Sequence, residues 1–150
     1  MNRLCIIPCG KRKIWDKQPG LGPVQAQYAY TGVFHTLCQA YARTFFSSWV
    51  ILSAKHGFLK PEELVPGNYD LAFQMKHPEI ISIRDLRNQL DKKKLDNVDQ
   101  IFMLGGKKFD RILSEVFGKS VQFPLKGSKG IGEMQRKLKT AVETETEIVC

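Results

Sequence analysis

The stretch Leu4-Cys5-Ile6-Ile7-Pro8-Cys9-Gly10-Lys11-Arg12-Lys13 joins a short apolar run to a loop that contains both glycine and lysine. Three further runs have the same organisation: Trp49–Leu52 before Ala54–Gly57, Ile101–Leu104 before Gly105–Lys108, and Val121–Phe123 before Leu125–Gly130. Short, continuous apolar runs are typical of strands that are buried on both faces of a parallel sheet. If the four runs are parallel strands, their loops meet at the carboxyl edge of one sheet, where open α/β folds bind ligands.

Apolar residues at three- and four-residue spacing predict a helix between successive strands and another after the last strand. They are Phe34, Leu37, Cys38, Tyr41 and Phe45; Ile83, Leu86 and Leu90, after a capping box at Ser82 and Asp85; Phe109, Ile112, Leu113 and Val116, ending at Gly118; and Ile131, Met134, Leu138 and Ala141. The alternation predicts an α/β fold with a small, open, mainly parallel sheet of about four strands and helices on both faces. This arrangement is a Rossmann-like three-layer sandwich.

The length of 150 residues predicts a single domain over 1–150. No apolar run approaches the length of a membrane span, and the start of the chain does not resemble a secretory signal, so we expect no membrane contact and a cytoplasmic location. The cysteines Cys5, Cys9, Cys38 and Cys150 lack metal-ligand spacing. They are therefore expected to be reduced thiols, with no metal site and no cofactor.

The net charge of +8 favours an anionic partner, namely a nucleotide, a nucleobase or single-stranded nucleic acid. Solvated surface lysines that bind no partner would produce the same net charge. Neither G-x-x-x-x-G-K-[ST] nor G-x-G-x-x-G occurs after the first strand, which argues against a mononucleotide ATPase. The sequence makes no prediction of oligomeric state.

Glycine and basic side chains in these loops are candidates for binding phosphate, because glycine admits close backbone approach and lysine supplies positive potential. The candidates are Gly10 with Lys11, Arg12 and Lys13 after the first strand, Gly105, Gly106 and Lys107 after the third, and Gly130 and Gly132 before the last helix. A solvated basic turn is the alternative for the first group.

His56 is the best candidate for an acid or base, because Ser53-Ala54-Lys55-His56 places an imidazole beside a lysine after the second strand. A neighbouring cation favours the neutral imidazole. The alternative is a histidine that packs against Phe58. Candidates for a carboxylate that activates water are Asp70, Glu133 and Asp16. Glu133 has a second interpretation, since an acid in a first helical turn complements the helix dipole.

Trp15 and Tyr69 lie in irregular segments beside basic residues, where an aromatic ring could stack on a base. The alternative is that both rings fill the core.

Several of these blocks together resemble a bacterial and phage family of unknown function whose members are often labelled YaaA-like peroxide-stress proteins. The blocks are Ile7–Lys13, Ala29–Gly32 with Phe34, Trp49–Leu59, Pro66 with Tyr69-Asp70, and Pro124–Gly127 with Gly130–Met134. The strand-end motifs are also similar to the glycosylase-like domain of archaeosine synthase. These resemblances imply an α/β domain connected with DNA or its damage. They also imply a pocket lined by Cys9, Lys11, Lys55, His56, Tyr69 and Asp70.

The sequence therefore favours a nucleotide- or nucleobase-binding domain that hydrolyses or transfers an N-glycosidic bond. In this mechanism the basic loops hold phosphate, Asp70 or Glu133 positions water, and His56 or a lysine stabilises the departing base. One alternative is a non-catalytic DNA-binding stress-response protein, in which Lys92-Lys93-Lys94 would contact phosphate. Another is a module that sequesters a nucleotide without turnover.

Overall fold

The structure is a computed structural model that describes residues 2–149, so Cys150 lies outside the described residues. The strands are β1 (Arg3–Pro8), β2 (Val24–Gln25), β3 (Trp49–Ser53), β4 (Gly57–Leu59), β5 (Leu64–Val65) and β6 (Gln100–Met103). The helices are α1 (Ala26–Ala29), α2 (Val33–Phe45), α3 (Ile83–Lys92), α4 (Asp110–Phe117) and α5 (Ile131–Thr144). Single 3-10 turns cover Ile14–Asp16 and Lys107–Phe109. The chain is thus a mixed α/β protein.

The main sheet has four strands in the order β4-β3-β1-β6. Strands β3, β1 and β6 are parallel, and Cys5 at the centre lies opposite both Trp49 and Phe102. Strand β4 is antiparallel to β3, to which a tight turn connects it. A separate antiparallel ribbon pairs β2 with β5. The prediction of a mainly parallel sheet of about four strands is therefore confirmed.

The predicted strand over 121–123 is wrong as a strand, and β4 takes the fourth place in the sheet. Gln122 makes a single parallel bridge beside Phe102. Its N–H donates to Ile101 O at 2.8 Å, and its carbonyl accepts from Met103 N at 2.8 Å. The ladder stops there because Pro124 has no N–H to continue it. The segment still runs alongside β6, so the loop that follows begins at the carboxyl edge.

The four predicted helices are confirmed as α2, α3, α4 and α5. Ser82 Oγ accepts from Asp85 N at 3.1 Å and caps α3. Gly118, in the left-handed region at φ 67°, ends α4. The short elements β2, α1 and β5 lie in the segments 13–30 and 60–78, for which the sequence predicts no helix or strand. Elements of two to four residues are too short to show a periodicity.

Side chains of the parallel strands enter two separate apolar cores. Cys5 and Ile7 of β1 belong to the core that contains residues of α2 and α5, whereas Leu4 and Ile6 belong to the core that contains residues of α3 and α4. Alternate residues of a strand point to opposite faces, so the two cores lie on opposite faces of the sheet. Burial on both faces explains the continuous apolar runs Leu4–Ile7, Val50–Leu52 and Ile101–Met103 in these strands.

The connections between strands reverse direction at β1. From β1 the chain passes through α2 to β3, and from β3 it passes through α3 across the sheet to β6. Beyond β6 it continues through α4 to Gln122, away from β1. The loops after β1 and β6 therefore leave neighbouring strands in opposite directions. Such a switch point opens a crevice at the carboxyl edge, and open α/β sheets bind ligands in this crevice.

Trp15 is 4% exposed, and its indole N–H donates to Gly22 O at 2.7 Å. The ring fills the core, so the expectation that Trp15 stacks on a base is wrong.

Among residues 2–149, no helix combines the length and the apolar character that crossing a bilayer requires. A cytoplasmic location stays a prediction.

Candidate functional site

A cavity of about 220 Å³, here called the edge cavity, lies at the carboxyl ends of the three parallel strands. Cys9, Gly10 and Lys11 line it after β1, Ala54 lines it after β3, and Lys108 lines it after β6. Its other lining residues are Lys13, Leu52, Phe109 and the segment 70–75, which runs from Asp70 to Met75. The structure therefore brings the first three predicted loops to one rim, across the switch point.

A second hollow of about 420 Å³, here called the adjoining cavity, is lined by Lys11, Asp16, Asn68, Tyr69 and Asp70. Lys11 and Asp70 line both hollows. The edge cavity alone is smaller than the roughly 300 Å³ at which pockets for drug-sized ligands begin. Together the two hollows provide room for a larger ligand, with one cation and one carboxylate at their junction.

A third hollow, here called the helix cavity, occupies about 370 Å³ between the loop Pro8–Arg12 and the first turn of α2. Gly32, Val33, Phe34 and His35 line it from α2 and its N-cap, and Gln135 lines it from α5. Cys9, Gly10 and Lys11 thus border two hollows. Arg12 lines the helix cavity and not the edge cavity, so the predicted anion cradle is divided between them.

Cys9 lines the edge cavity, and its thiol lies within hydrogen-bonding distance of the Ala54 backbone N–H. Burial raises the pKa of the Cys9 thiol, against the opposing effects of the Ala54 N–H, the nearby Lys13 ammonium and the Tyr69 hydroxyl. The side chain is therefore a neutral thiol at pH 7.

A chain of buried hydroxyls fixes the wall of the adjoining cavity that Tyr69 forms. The Tyr69 hydroxyl is hydrogen-bonded to Ser53 Oγ at 2.7 Å and to the Tyr30 hydroxyl. Ser53 Oγ also accepts from the backbone N–H groups of Lys55, at 3.2 Å, and His56, at 3.0 Å. Tyr69 is only 9% exposed, which favours the core interpretation of its ring. Ser53 and Tyr69 therefore position the turn after β3 and hold the backbone beside Asp70.

His56 contacts this wall from its own turn, with its ring edge-to-face against Tyr69 at a centroid distance of 5.1 Å. Its carbonyl accepts from Gln89 Nε2 at 2.9 Å. Burial lowers the pKa of His56, and the charges of Lys55 and Lys93 lower it further. The imidazole is thus neutral, as the sequence predicted. However, neither His56 nor Lys55 is among the residues that line the edge cavity or the adjoining cavity.

Glu133 lies outside these hollows and stabilises its own helix. Its carboxylate accepts from Lys129 N at 3.1 Å and forms an ion pair with Lys137 at 3.5 Å. The backbone N–H of Lys129 and the charge of Lys137 lower the pKa of Glu133. These contacts match the helix-dipole interpretation of Glu133. Gly130 and Gly132 are likewise not brought into the edge cavity.

The loop after β6 reaches the edge cavity through Lys108 rather than Lys107. Gly105 packs closely: a Cβ atom there would lie 2.9 Å from Met103 Cε and from the Phe109 ring. Its role is therefore steric. Gly106 precedes the 3-10 turn that carries both lysines. None of the three residues that were predicted to bind an anion in this loop, Gly105, Gly106 and Lys107, lines the edge cavity.

Two polar side chains near the end of β1 are more deeply buried than the sequence indicates. Lys13, the last basic residue of the predicted anion cradle, is only 3% exposed and lines the edge cavity. His35, for which the sequence predicts no role in binding, is buried and its Nδ1 lies 2.9 Å from Pro8 O at the end of β1. The burial of both is hard to predict, because neither residue type belongs to an apolar period. Among residues 2–149, no group of three or more His, Cys, Asp or Glu side chains is arranged to hold a metal ion.

Comparison with known proteins gives a relative and a family. The uncharacterised protein YfjM of Bacillus subtilis (strain 168) is 52% identical over 150 residues, which cover 99% of this chain and 100% of that protein. No solved structure matches the chain significantly. The model of a family of unknown function, DUF6884, matches residues 4–140. The chain therefore belongs to the DUF6884 family, whose function is unknown.

Proposed function

We propose that residues 1–150 form a single α/β domain that binds a nucleotide or nucleoside-like ligand at the junction of the edge and adjoining cavities and cleaves its N-glycosidic bond. The observation that carries this proposal is the shared lining of the two hollows. Lys11 and Asp70 border both of them, at the switch point of the sheet. Open α/β sheets place their ligands at such a point.

The charges at this junction suit a ligand with an anionic end. Lys11, Lys13 and Lys108 line the edge cavity, where Asp70 is the one acidic side chain in the lining. Lysine ammonium groups hold phosphate as point charges. A single carboxylate among them is suited to orient and deprotonate a water molecule. In this assignment Lys11 and Lys108 bind phosphate and Asp70 acts at the sugar.

The role proposed for His56 changes accordingly. Its ring contacts Tyr69, and the residue is not part of the lining of either hollow. We assign His56 to supporting the wall that carries Asp70.

The resemblance to YaaA-like proteins and to the glycosylase-like domain of archaeosine synthase stays a prediction and supports the choice of N-glycosidic chemistry. A Rossmann-like three-layer sandwich is proposed for the fold, supported by the separate cores on the two sheet faces.

The DNA-binding alternative has weaker support. Lys93, at the centre of Lys92-Lys93-Lys94, forms an ion pair with Glu63 at 2.9 Å and donates to the carbonyl of Phe58. Its charge is therefore engaged within the protein. Binding of phosphate by this run would depend on its two neighbours.

The proposal is tested by incubating the protein with nucleoside 5′-monophosphates and single-stranded DNA and by chromatography of the released bases. Asp70→Asn should slow base release roughly 100-fold or more. Asp96→Asn, at an exposed position away from the edge, is the matched control and should retain the wild-type rate. Lys11→Ala should weaken nucleotide binding, and this binding should be sensitive to salt.

Two results would contradict the proposal. Equal rates for wild-type and Asp70→Asn would remove Asp70 from the chemistry. Tight nucleotide binding without any released base would instead support a sequestering module.

A further inference from the structure

Lys13 is a buried amine at the centre of the candidate site. The residue is 3% exposed, although lysine is almost never fully buried unless it is paired. Its backbone is fixed by an antiparallel bridge to Tyr30, and its N–H donates to Asp16 Oδ2 at 2.9 Å. Its Nζ lies 4.5 Å from the centre of the Tyr69 ring. The side chain is thus held in one place in the wall of the edge cavity.

The charge of Lys13 is poorly compensated. Its Nζ donates to Lys11 O at 3.1 Å, and none of the salt bridges among residues 2–149 includes it. The charged and titratable groups around it are Cys9, Asp70, Asp16 and Lys11. Burial lowers the pKa of Lys13, while the carboxylates of Asp70 and Asp16 oppose the shift and the charge of Lys11 adds to it. Desolvation shifts the amine towards its neutral form, and proteins use this shift to prepare lysine as a nucleophile.

Cys9 is the competing nucleophile in the same lining. Its thiol is neutral because burial raises its pKa. Since the thiolate is the reactive form of cysteine, burial makes Cys9 less reactive. The same desolvation makes a lysine more reactive, because it favours the neutral amine. The edge cavity therefore favours amine chemistry over thiol chemistry.

We propose that Lys13 Nζ forms an imine with the sugar of the bound ligand, so that cleavage of the N-glycosidic bond passes through a covalent protein–sugar intermediate. This inference rests on the proposed function for its substrate. It adds a nucleophile and assigns Asp70, in the same lining, to moving protons.

The imine on Lys13 forms as the base leaves and is then hydrolysed by water. The Lys13 lone pair forms a bond to the anomeric carbon while the N-glycosidic bond breaks, and the base departs with that electron pair and takes up a proton that the lysine nitrogen loses. The bond from the anomeric carbon to the ring oxygen then opens as the carbon–nitrogen double bond forms. The remaining nitrogen proton passes to the ring oxygen through the Asp70 carboxylate. Water hydrolyses the imine, which releases the aldehyde form of the sugar and restores the Lys13 amine.

The test uses ribose 5-phosphate, an aldehyde-forming sugar with an anionic end, as the probe. The full-length protein is incubated with the probe and sodium cyanoborohydride near pH 7, and the reduced adduct is located by intact-mass and peptide mass spectrometry. We expect one adduct per chain, on Lys13. Lys13→Arg should lose the adduct, whereas Lys17→Arg, an exposed lysine of the same loop, should keep it.

The wild-type peptide map decides the question even if Lys13→Arg fails to fold. Adducts spread evenly over exposed lysines, or absent from Lys13, would overturn the inference. Release of base from nucleotides without any trapped adduct would overturn the imine and leave the proposed function standing. An adduct on Lys13 without release of base from any nucleotide would overturn the proposed function and support the reactive amine.

Discussion

Protonation of His35 should destabilise the folded protein in mild acid. The residue is 2% exposed, and its Nδ1 lies 2.9 Å from Pro8 O. A carbonyl oxygen only accepts, so Nδ1 carries the proton and donates to it. Nε2 then accepts from Gln39 Nε2, which lies 2.8 Å away and also donates to Gln27 O at 3.0 Å. A proton added to Nε2 of His35 would point at the Gln39 amide nitrogen, which is itself a donor. The new N–H group would therefore have no acceptor.

The magnitude follows from the pKa of His35. Burial lowers this pKa from 6.5 to about 4, against a smaller opposing effect of the Pro8 carbonyl. Between these two values the unfolded chain binds more protons than the folded protein, so the free energy of unfolding rises with pH. The stabilising contribution is complete above pH 6.5 and is lost as pH falls towards 4. At about 1.4 kcal/mol for each pH unit, the loss approaches about 3 kcal/mol, a large part of the roughly 5–15 kcal/mol that stabilises a typical domain.

The assay is urea unfolding of the wild-type protein and of His35→Gln at several values of pH between about 7.5 and about 4. The difference between the two proteins removes the contribution of carboxylates that titrate in both. We expect the wild-type to lose more stability than His35→Gln over this interval. His77→Gln, at an exposed position, is the matched control and should follow the wild-type. Identical pH dependence in wild-type and His35→Gln would refute the reasoning.

Two further substitutions test the packing around the candidate site. Gly57→Ala should lower the free energy of unfolding by about 2 kcal/mol or more, because Gly57 has φ +75° and a Cβ there would lie 2.8 Å from Gln89 Cδ. Gly67→Ala, where a Cβ would meet nothing within 4 Å, is the control in the same urea titration, and equal losses would contradict this account. Tyr69→Phe should cost about 1–3 kcal/mol, because it removes the hydroxyl bound to buried Ser53 Oγ. An unchanged thermal midpoint for Tyr69→Phe would show that this hydrogen bond contributes nothing net.

Local patterns in the sequence were sufficient for the helices and for three parallel strands. The periodicity of α2 and the Ser82 cap of α3 are properties of a few consecutive residues, and both are present in the structure. Strands β1, β3 and β6 were recognisable because burial on both faces gives each of them a continuous run of apolar residues. The gathering of Cys9, Gly10 and Lys11 with the loops after β3 and β6 followed from parallel topology alone.

Only the tertiary structure decided which strand filled the fourth place and which charged residues reached the site. Gln122 forms a single bridge beside β6 at one edge of the sheet, whereas β4 pairs with β3 at the other edge. An apolar run in the sequence does not show which of these two segments extends a ladder. The burial of Lys13 depends on Tyr69, 56 positions later in the chain. The sequence determined where polar loops gather, because strand direction is a global consequence of alternating elements. Desolvation and pairing determine what each side chain does there, and both arise from residues that meet only in the folded protein.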